Sequence, residues 1–545
     1  MDVFDQLLNG IAGVLTPTNL LLLAAGVTMG MIVGVMPGLG PSAGLAILLP
    51  VTFGLDPTGA IVMLAAVYYG AMYGGTITSV LINTPGESAT VATTFDGYPM
   101  AKQGRAGPAL VLAAVASFIA GTIGAILISV SAPAVASVAS TFGPPELFLV
   151  VVAGLLTLIV IIGHNRLLGV ISALIGFAIA TVGIDITSGG QRYTFGSAEL
   201  IQGIDFVPVA IGLFGVGEIL WSLYNRGHKQ DLAYVHVSAR NRDFWPTRRD
   251  WKESRGSMGR GSFLGFFVGA IPGAGATVAS LMSYSLEKGI SRHPEKFGKG
   301  AVAGLAGPEA ANNGASAGSM VPLLTLGIPG SSATAVLLGG FLIWGLTPGP
   351  LLMEQNPEFA WGLIGSMYLG NMMLLVINIF FVPVFASIAR VPFRVLGPIV
   401  IVLCIVGSYV VNGSIVEVGI MLACGVLGFF MRRFGFSAAA LVIALVLGPL
   451  AEGALRRTLL ISDGSFSIFL ERGTSLVLLL FIAFLCVLAF AGPPIARAAR
   501  RSLDERAERR MAELRQSDES EDAAGEEPED AAGDEPTDKQ RQVDV

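Results

Sequence analysis

Long apolar stretches separated by short polar turns run along most of this chain. They lie at about 20–54, 59–98, 108–132, 146–163, 167–184 and 206–224, then at about 261–286, 301–345, 359–382, 396–411, 415–431, 437–452 and 474–492. A membrane-crossing helix needs ~20 mainly apolar residues, within a range of ~17–25. Most of the runs therefore fit one crossing each. Ahead of them, Phe4, Leu7, Leu8, Ile11, Val14 and Leu15 fall on one helical face, which predicts an amphipathic interfacial helix over residues 1–18. The first long apolar run continues into the body of the chain and reads as structure rather than as a signal peptide.

Four runs are too long or too interrupted for one straight helix, and they form two pairs. The runs 20–54 and 261–286 are each broken by a Pro-Gly-x-Gly string, Pro37-Gly38-Leu39-Gly40 and Pro272-Gly273-Ala274-Gly275. Each predicts a re-entrant hairpin of two half-helices. The runs 59–98 and 301–345 are broken at Pro85-Gly86-Glu87-Ser88 and Pro329-Gly330-Ser331-Ser332. The first pair of motifs matches at an offset of 235, as Gly34-x-x-Pro37-Gly38-x-Gly40 and Gly269-x-x-Pro272-Gly273-x-Gly275. The second matches at an offset of 244 and begins further back, at Gly70-Ala-x-x-Gly74 and Gly314-Ala-x-x-Gly318. Pro and Gly in membrane helices often mark simple kinks. Two motifs recurring in the same order are poorly explained that way.

Basic loops mark the cytoplasmic side of a membrane protein. Segment 226–260 carries nine bases against four acids, and the turns at Lys102 and Arg105, Arg390 to Arg394, Arg432-Arg433 and Arg497 to Arg510 are also basic. The connections near 55–58, 133–145, 347–358 and 412–414 carry no Lys or Arg. With the basic loops inside, the two broken helices run in opposite directions. Arg456, Arg457 and Arg472 are the exceptions, since they fall in an outer stretch. The expected architecture is an all-α polytopic membrane protein with two inverted repeats, each holding a re-entrant hairpin and a broken helix, and about 11–12 crossings plus the two hairpins. The expected layout is repeat 1 over 19–225, a basic cytoplasmic connector over 226–260, repeat 2 with extra helices over 261–495, and a cytoplasmic acidic tail over 496–545. Inverted repeats with broken helices around a central site mark secondary transporters.

Composition narrows the function further. Of the 545 residues 53% are hydrophobic and only 13% charged, about half the usual charged share of a soluble protein. This excludes a nucleic-acid binder and a soluble enzyme. The net charge of −6 is uneven: residues 516–545 hold twelve acids and two bases and no aromatic, the signature of a solvated, unfolded tail. Cys404, Cys424 and Cys486 sit in apolar runs and read as small core hydrophobes, and the four His fall in loops, so no metal site is visible. There is no GxxxxGK[ST] string. Gly40–Gly44 and Gly314–Gly318 read as GxSxG, but neither follows a strand, as a serine-hydrolase elbow requires.

The breaks carry the candidate chemistry. A helix that starts inside a protein-lined cavity presents free N–H groups and partial positive charge, and glycine lets a ligand approach the backbone. The tips add Ser42 and Thr277; the second motifs add Asn83, Thr84, Ser88, Ser331 and Ser332. With Pro37, Gly38, Gly40, Pro85, Gly86, Pro272, Gly273, Gly275, Pro329 and Gly330 they form the expected substrate site, rich in donors and without a fixed Lys or Arg. Such a set suits carboxylates. Glu309 with Asn312 and Asn313 on one helical face, and Glu87 in the first break, are the candidates for a coupling ion, Na⁺ or H⁺. The bland reading of Glu309 is a structural polar link. In the 185–205 loop, Asp185, Arg192, Glu199 and Asp205 suit either a salt-bridged surface or a docking face.

GVMPGLGPSAGLAILLPVTFGLDPTGAIVMLAAVYYGAMYGGTITSVLINTPGESATVATTFDGYPMAKQGRAGPAL and GPEAANNGASAGSMVPLLTLGIPGSSATAVLLGGFLIWGLTPGP closely resemble the large permease subunit of the tripartite tricarboxylate transporter family, the TctA family. GIDITSGGQRYTFG at 183–196 is similar to that family's outer loop, and the resemblance covers about residues 15–495. It implies a permease of the bacterial inner membrane that works with a small membrane subunit of about four helices and a periplasmic solute-binding protein. It implies uptake of di- or tricarboxylates or related organic acids, driven by a Na⁺ or H⁺ gradient, with no cofactor. Alternatives outside that resemblance are a stand-alone organic-anion exporter, a channel-like pore, or a membrane scaffold.

Overall fold

The computed structural model describes residues 3–490 apart from 37, 163–165, 186–187, 226–243, 347 and 389–392. Pro37, the first part of the basic connector and the acidic tail lie outside the described residues. The rest is almost entirely helical. The first half holds α1 Val3–Val14, α2 Pro17–Val35, α3 Gly40–Leu48, α4 Pro57–Ile82, α5 Val91–Met100, α6 Ala106–Ala139, α7 Pro144–Ile162, α8 Arg166–Ala180, α9 Phe206–Ala210 and α10 Gly217–Tyr224. The second holds α11 Arg248–Gly269, α12 Gly275–Ile290, α13 Val302–Gly318, α14 Met320–Leu326, α15 Ser332–Ile343, α16 Leu352–Gln355, α17 Pro357–Phe380, α18 Val382–Ile388, α19 Phe393–Asn412, α20 Ile415–Phe434, α21 Ala438–Ile461, α22 Ile468–Glu471 and α23 Gly473–Phe490.

Among the described residues, eight helical stretches are long and apolar enough to cross a membrane. They are 17–35, 57–82, 88–139, 206–224, 357–380, 395–412, 415–434 and 438–461. Shorter apolar helices accompany them, including α8, α15 and α23. The chain is an all-α, multi-pass membrane protein. Local chemistry sets its boundaries. Asp56 accepts from the N–H groups of Thr58 and Gly59 at the start of α4, and Pro57 sits at the first helical position, where no N–H is needed. Gly104, at a φ of 79°, turns the chain between α5 and α6 where the basic turn is expected.

Two helix pairs, α2 on α4 and α11 on α13, pack through the same glycine ladder. Cβ atoms added at Gly26, Gly30 and Gly34 would lie 2.2–2.4 Å from the carbonyl oxygens of Met63, Val67 and Ala71. At Gly261, Gly265 and Gly269 they would lie 2.2–2.3 Å from those of Gly307, Ala311 and Ala315. Gly70 and Gly74 return the contact in the first pair, and Gly314 and Gly318 in the second. These positions obey the offsets of 235 and 244 read from the sequence. In lipid no hydrophobic force draws helices together, so close backbone approach through small residues supplies the packing energy.

Residues Gly59 to Leu81 of α4 are buried without exception, whereas α19 and α20 leave Val402, Val406, Leu422 and Val426 exposed, as lipid-facing helices do. Polar ties join the halves, two of them near the basic connector and the start of α13. Asp96 of α5 accepts from the N–H groups of Gly298, Gly300 and Ala301 at 2.8–2.9 Å, just ahead of α13. Arg105 pairs with Asp250 at 2.5 Å, and Asp250 forms a capping box with Thr247. Residues 248–260 of the basic connector are thus the first turns of α11.

The arginines that break the charge alternation are mostly held by acids. Arg456 bonds Asp185 at 2.7 Å and Glu452 at 2.6 Å, and Arg192 bonds Glu452 at 2.8 Å. Arg472 bonds Glu146 at 2.8 Å. The short antiparallel strands Gly183–Ile184 and Gln191–Arg192 present Arg192 to this cluster. Asp205 instead caps α9 by accepting from the Val207 N–H at 2.8 Å.

Candidate functional site

Each long apolar segment is interrupted where the sequence places its second motif. Helix α4 ends at Asn83, left-handed at a φ of 52°, and α14 ends at Gly327, left-handed at 69°. Pro85 and Pro329 follow, and they offer no N–H to continue the helix and push the preceding residue out of helical geometry. The chain restarts on equivalent caps. Glu87 forms a capping box with Thr90, and Ser331 forms one with Thr334, whose N–H donates to Ser331 Oγ at 3.2 Å. Glu87 and Ser331, unlike in chemistry, hold the same structural position.

Each break packs on the end of the helix that leads into the glycine turn of its own copy. A Cβ on Gly86 would meet the Gly34 carbonyl oxygen at 2.1 Å, and one on Gly330 would meet that of Gly269 at 3.1 Å. The Gly273 N–H donates to the Gly330 carbonyl at 2.9 Å. Ser88 Oγ and Thr277 Oγ1 are 2.8 Å apart, joining the first break to the second turn. The turns need glycine for their own conformation: φ is 96° at Gly38 and 83° at Gly273.

Both turns and both breaks open onto one cavity of about 670 Å³. Of the expected substrate residues, its wall holds Gly38, Gly40, Ser42, Pro85, Gly86, Ser88, Gly273, Gly275, Thr277, Ser331 and Ser332. Asn83, Thr84, Pro272, Pro329 and Gly330 are not part of the wall. Asn83 is a helix cap, and the Thr84 hydroxyl is spent on the Ile82 carbonyl at 3.2 Å.

The expected ion-coupling residues divide. Glu87 is on the cavity wall. Glu309 is fully buried behind it and accepts from Thr76 at 2.7 Å, from Thr93, and from Ser117 at 3.4 Å. Asn313 donates to Ser117 at 2.7 Å. Asn312 joins the two regions by donating to Glu87 Oε1 at 3.3 Å, while its own Oδ1 is buried with no hydrogen-bond partner. That orphaned acceptor beside a carboxylate fits a proton or small cation. No group of three or more His, Cys, Asp or Glu that could hold a metal occurs among the described residues.

Among the wall residues that the sequence reading does not place in the site are Tyr68, Glu218 and Arg432. Tyr68 places its hydroxyl 3.3 Å from Ser319 and 3.4 Å from Ser331. Glu218 of α10 and Arg432 of α20 face the same space, with Arg432 Nη1 donating to Glu218 Oε2. The site expected to lack a fixed basic residue therefore has one. The available signal was a lone acid inside the run 206–224 and a basic pair closing the run 415–431, but nothing local links them.

Residues 20–443 match the Tripartite tricarboxylate transporter TctA family. A protein of Agrobacterium vitis described as "Uncharacterized 52.8 kDa protein in TAR-I ttuC' 3'region" is 41% identical over 495 residues, which is 91% of this chain and 97% of that protein. A second from the same organism, "Uncharacterized protein in TAR-II ttuC' 3'region", is 38% identical over 231 residues, 42% of this chain and 95% of that protein. No solved structure matches. The match spans both glycine ladders, both breaks and the cavity they enclose, and the chain belongs to the tripartite tricarboxylate transporter TctA family.

Proposed function

We propose that this chain is the large permease subunit of a binding-protein-dependent tripartite transporter, which takes up carboxylates across the bacterial inner membrane on an ion gradient. The family is part of a tripartite system, so partner subunits are implied; in this reading they are a small four-helix membrane subunit and a periplasmic solute-binding protein. The observation that carries the reading is the convergence of two glycine turns and two helix restarts on one cavity. Freed N–H groups and the hydroxyls of Ser42, Ser88, Thr277, Ser331 and Ser332 suit carboxylate oxygens.

The two copies are related as an inverted repeat, with both glycine turns near mid-membrane and the C-terminus in the cytoplasm. The basic turns lie on one side and the uncharged connections on the other. Single cysteines at Asp56 and Lys288 label from the outside and the inside respectively. Labelling of both from one side overturns the topology.

The coupling ion binds beside Glu87 and Asn312, where the buried Asn312 Oδ1 lacks a donor. Glu309, with three hydroxyl donors, sets the charge behind that site. The deciding experiment is uptake of radiolabelled carboxylates by vesicles carrying the three subunits, with and without an imposed Na⁺ or H⁺ gradient. Gradient-dependent accumulation supports the reading. Passive equilibration insensitive to both gradients, or net efflux alone, replaces it with a pore or an exporter.

A further inference from the structure

The Glu218–Arg432 pair sits at the cavity rather than at the periphery of the bundle. Both residues line it, and the two side chains differ in exposure: Glu218 is 16% exposed and Arg432 44%. Arg432 closes α20, where a cation suits the negative helix end. Its guanidinium also stacks 5.1 Å from the Trp221 ring centroid, which fixes its plane.

The partner carboxylate is unusually placed. Glu218 Oε2 accepts from Arg432, while Oε1 lies beside the first glycine turn, 3.0 Å from where a Cβ on Gly38 would be. Glu218 thus holds a carboxylate between a guanidinium and a glycine turn that opens a helix. A substrate carboxylate entering this cavity needs that same combination. The acidic and basic groups on the wall, among the described residues, are Glu87, Glu218 and Arg432, so with the pair closed no free cation faces the cavity. An incoming anion then finds a charged partner there only by taking Arg432 for itself. Exchanging one carboxylate for another on the same guanidinium preserves the ion pair, so the exchange never leaves the guanidinium unpaired.

We propose that Arg432 is the charged anchor for a substrate carboxylate, and that Glu218 occupies it as an internal carboxylate in the empty cavity and leaves when substrate arrives. The proposal rests on the carboxylate-uptake reading. It adds a specific competitor, and so a sign that a purely structural ion pair does not share.

The test uses vesicles carrying the full-length chain with its two partner subunits, and counterflow exchange of radiolabelled citrate, succinate and acetate. Arg432→Gln raises the half-saturating concentration at least tenfold, and Arg432→Lys recovers part of the loss by keeping the charge without the planar fork. Glu218→Gln lowers the half-saturating concentration severalfold, because the competitor is gone. Glu218→Gln/Arg432→Gln stays as weak as Arg432→Gln. Membrane levels and melting temperatures of all four variants report whether each is folded. If the pair only clamps α10 to α20, Glu218→Gln does not tighten binding and the double variant returns to the unsubstituted half-saturation. Either result overturns the proposal, as does an unchanged value in Arg432→Gln. If the unsubstituted transporter exchanges none of the three acids, the uptake reading itself fails first.

Discussion

In the first copy, a helix restarts on Glu87 beside the turn that opens α3; in the second, a helix restarts on Ser331 beside the turn that opens α12. The backbones are alike down to the left-handed cap before each break and the glycine ladder beneath it. The side chains are not. Where α13 carries Glu309, Asn312 and Asn313, the equivalent positions of α4 carry Ala65, Tyr68 and Tyr69. Duplicated geometry thus supplies two sets of helix starts, while the polar chemistry is divided between the copies. The first copy supplies a cavity-facing acid and a tyrosine hydroxyl. The second supplies the buried acid and the Asn312 amide that reaches across to Glu87. A symmetric cradle with asymmetric charge suits a substrate held by backbone from both sides and an ion held on one.

The largest expected effect tests the shared scaffold. Gly30→Leu and Gly265→Leu each drive a side chain into a carbonyl oxygen that a bare Cβ would already meet at 2.3–2.4 Å. Overpacking typically costs ~1–3 kcal/mol, and backbone is less able to yield than side chain. Both variants are expected to lose the monodisperse peak in detergent, to the same degree. Gly289→Leu, with open space around it, is expected to keep that peak. Loss in only one of the two ladder variants breaks the equivalence of the copies.

The next effect falls on transport rather than folding. Gly38→Leu and Gly273→Leu place a side chain at φ 96° and 83°, at a backbone cost of about 1–2 kcal/mol, and fill the cavity wall. Uptake at matched membrane levels is expected to vanish in both. Normal uptake in either removes that turn from the site.

A more moderate effect separates the copies. Glu309→Ala leaves the hydroxyls of Thr76, Thr93 and Ser117 without their acceptor, at about 1–3 kcal/mol for each left unsatisfied. A clear fall in melting temperature is expected, whereas Ala65→Ser at the equivalent position shifts it little. Glu309→Gln keeps the shape and is expected to lose gradient-driven accumulation while retaining counterflow.

The smallest effect comes from making the two caps alike. Ser331→Ala removes a helix cap worth ~0.5–2 kcal/mol and one cavity hydroxyl, so a modest rise in half-saturating concentration is expected. Glu87→Ser keeps a capping side chain and removes the charge. It is expected to leave the melting temperature nearly unchanged while altering the ion dependence of uptake. An unaltered ion dependence shifts the coupling group to Glu309 or to backbone carbonyls.

Much of this was legible because proline and glycine act locally. Pro85 and Pro329 break a helix whatever surrounds them, whereas the glycine ladder Gly26, Gly30 and Gly34 becomes legible only through its contacts with α4. The repeat offsets paired each motif with its counterpart in the other copy, while the helix that each ladder meets came only from the fold. Thr84 shows the limit of that reasoning. A hydroxyl in the right motif was read as a ligand donor, but its rotamer spends it on the backbone at Ile82.

The sequence by itself determined the class of the protein, the number of copies of its core unit, and the positions of turns and breaks. Those follow from hydropathy and from the backbone freedom of single residues, neither of which depends on distant parts of the chain. Only the tertiary structure decided which polar groups share a space. Glu218 and Arg432 are separated by 214 residues, and Glu309 finds its donors on α4, α5 and α6. A charge in an apolar run announces that it needs a partner, because an unpaired one is too costly to bury. Which partner it takes is fixed by how the helices cross, and no local pattern of residues encodes that.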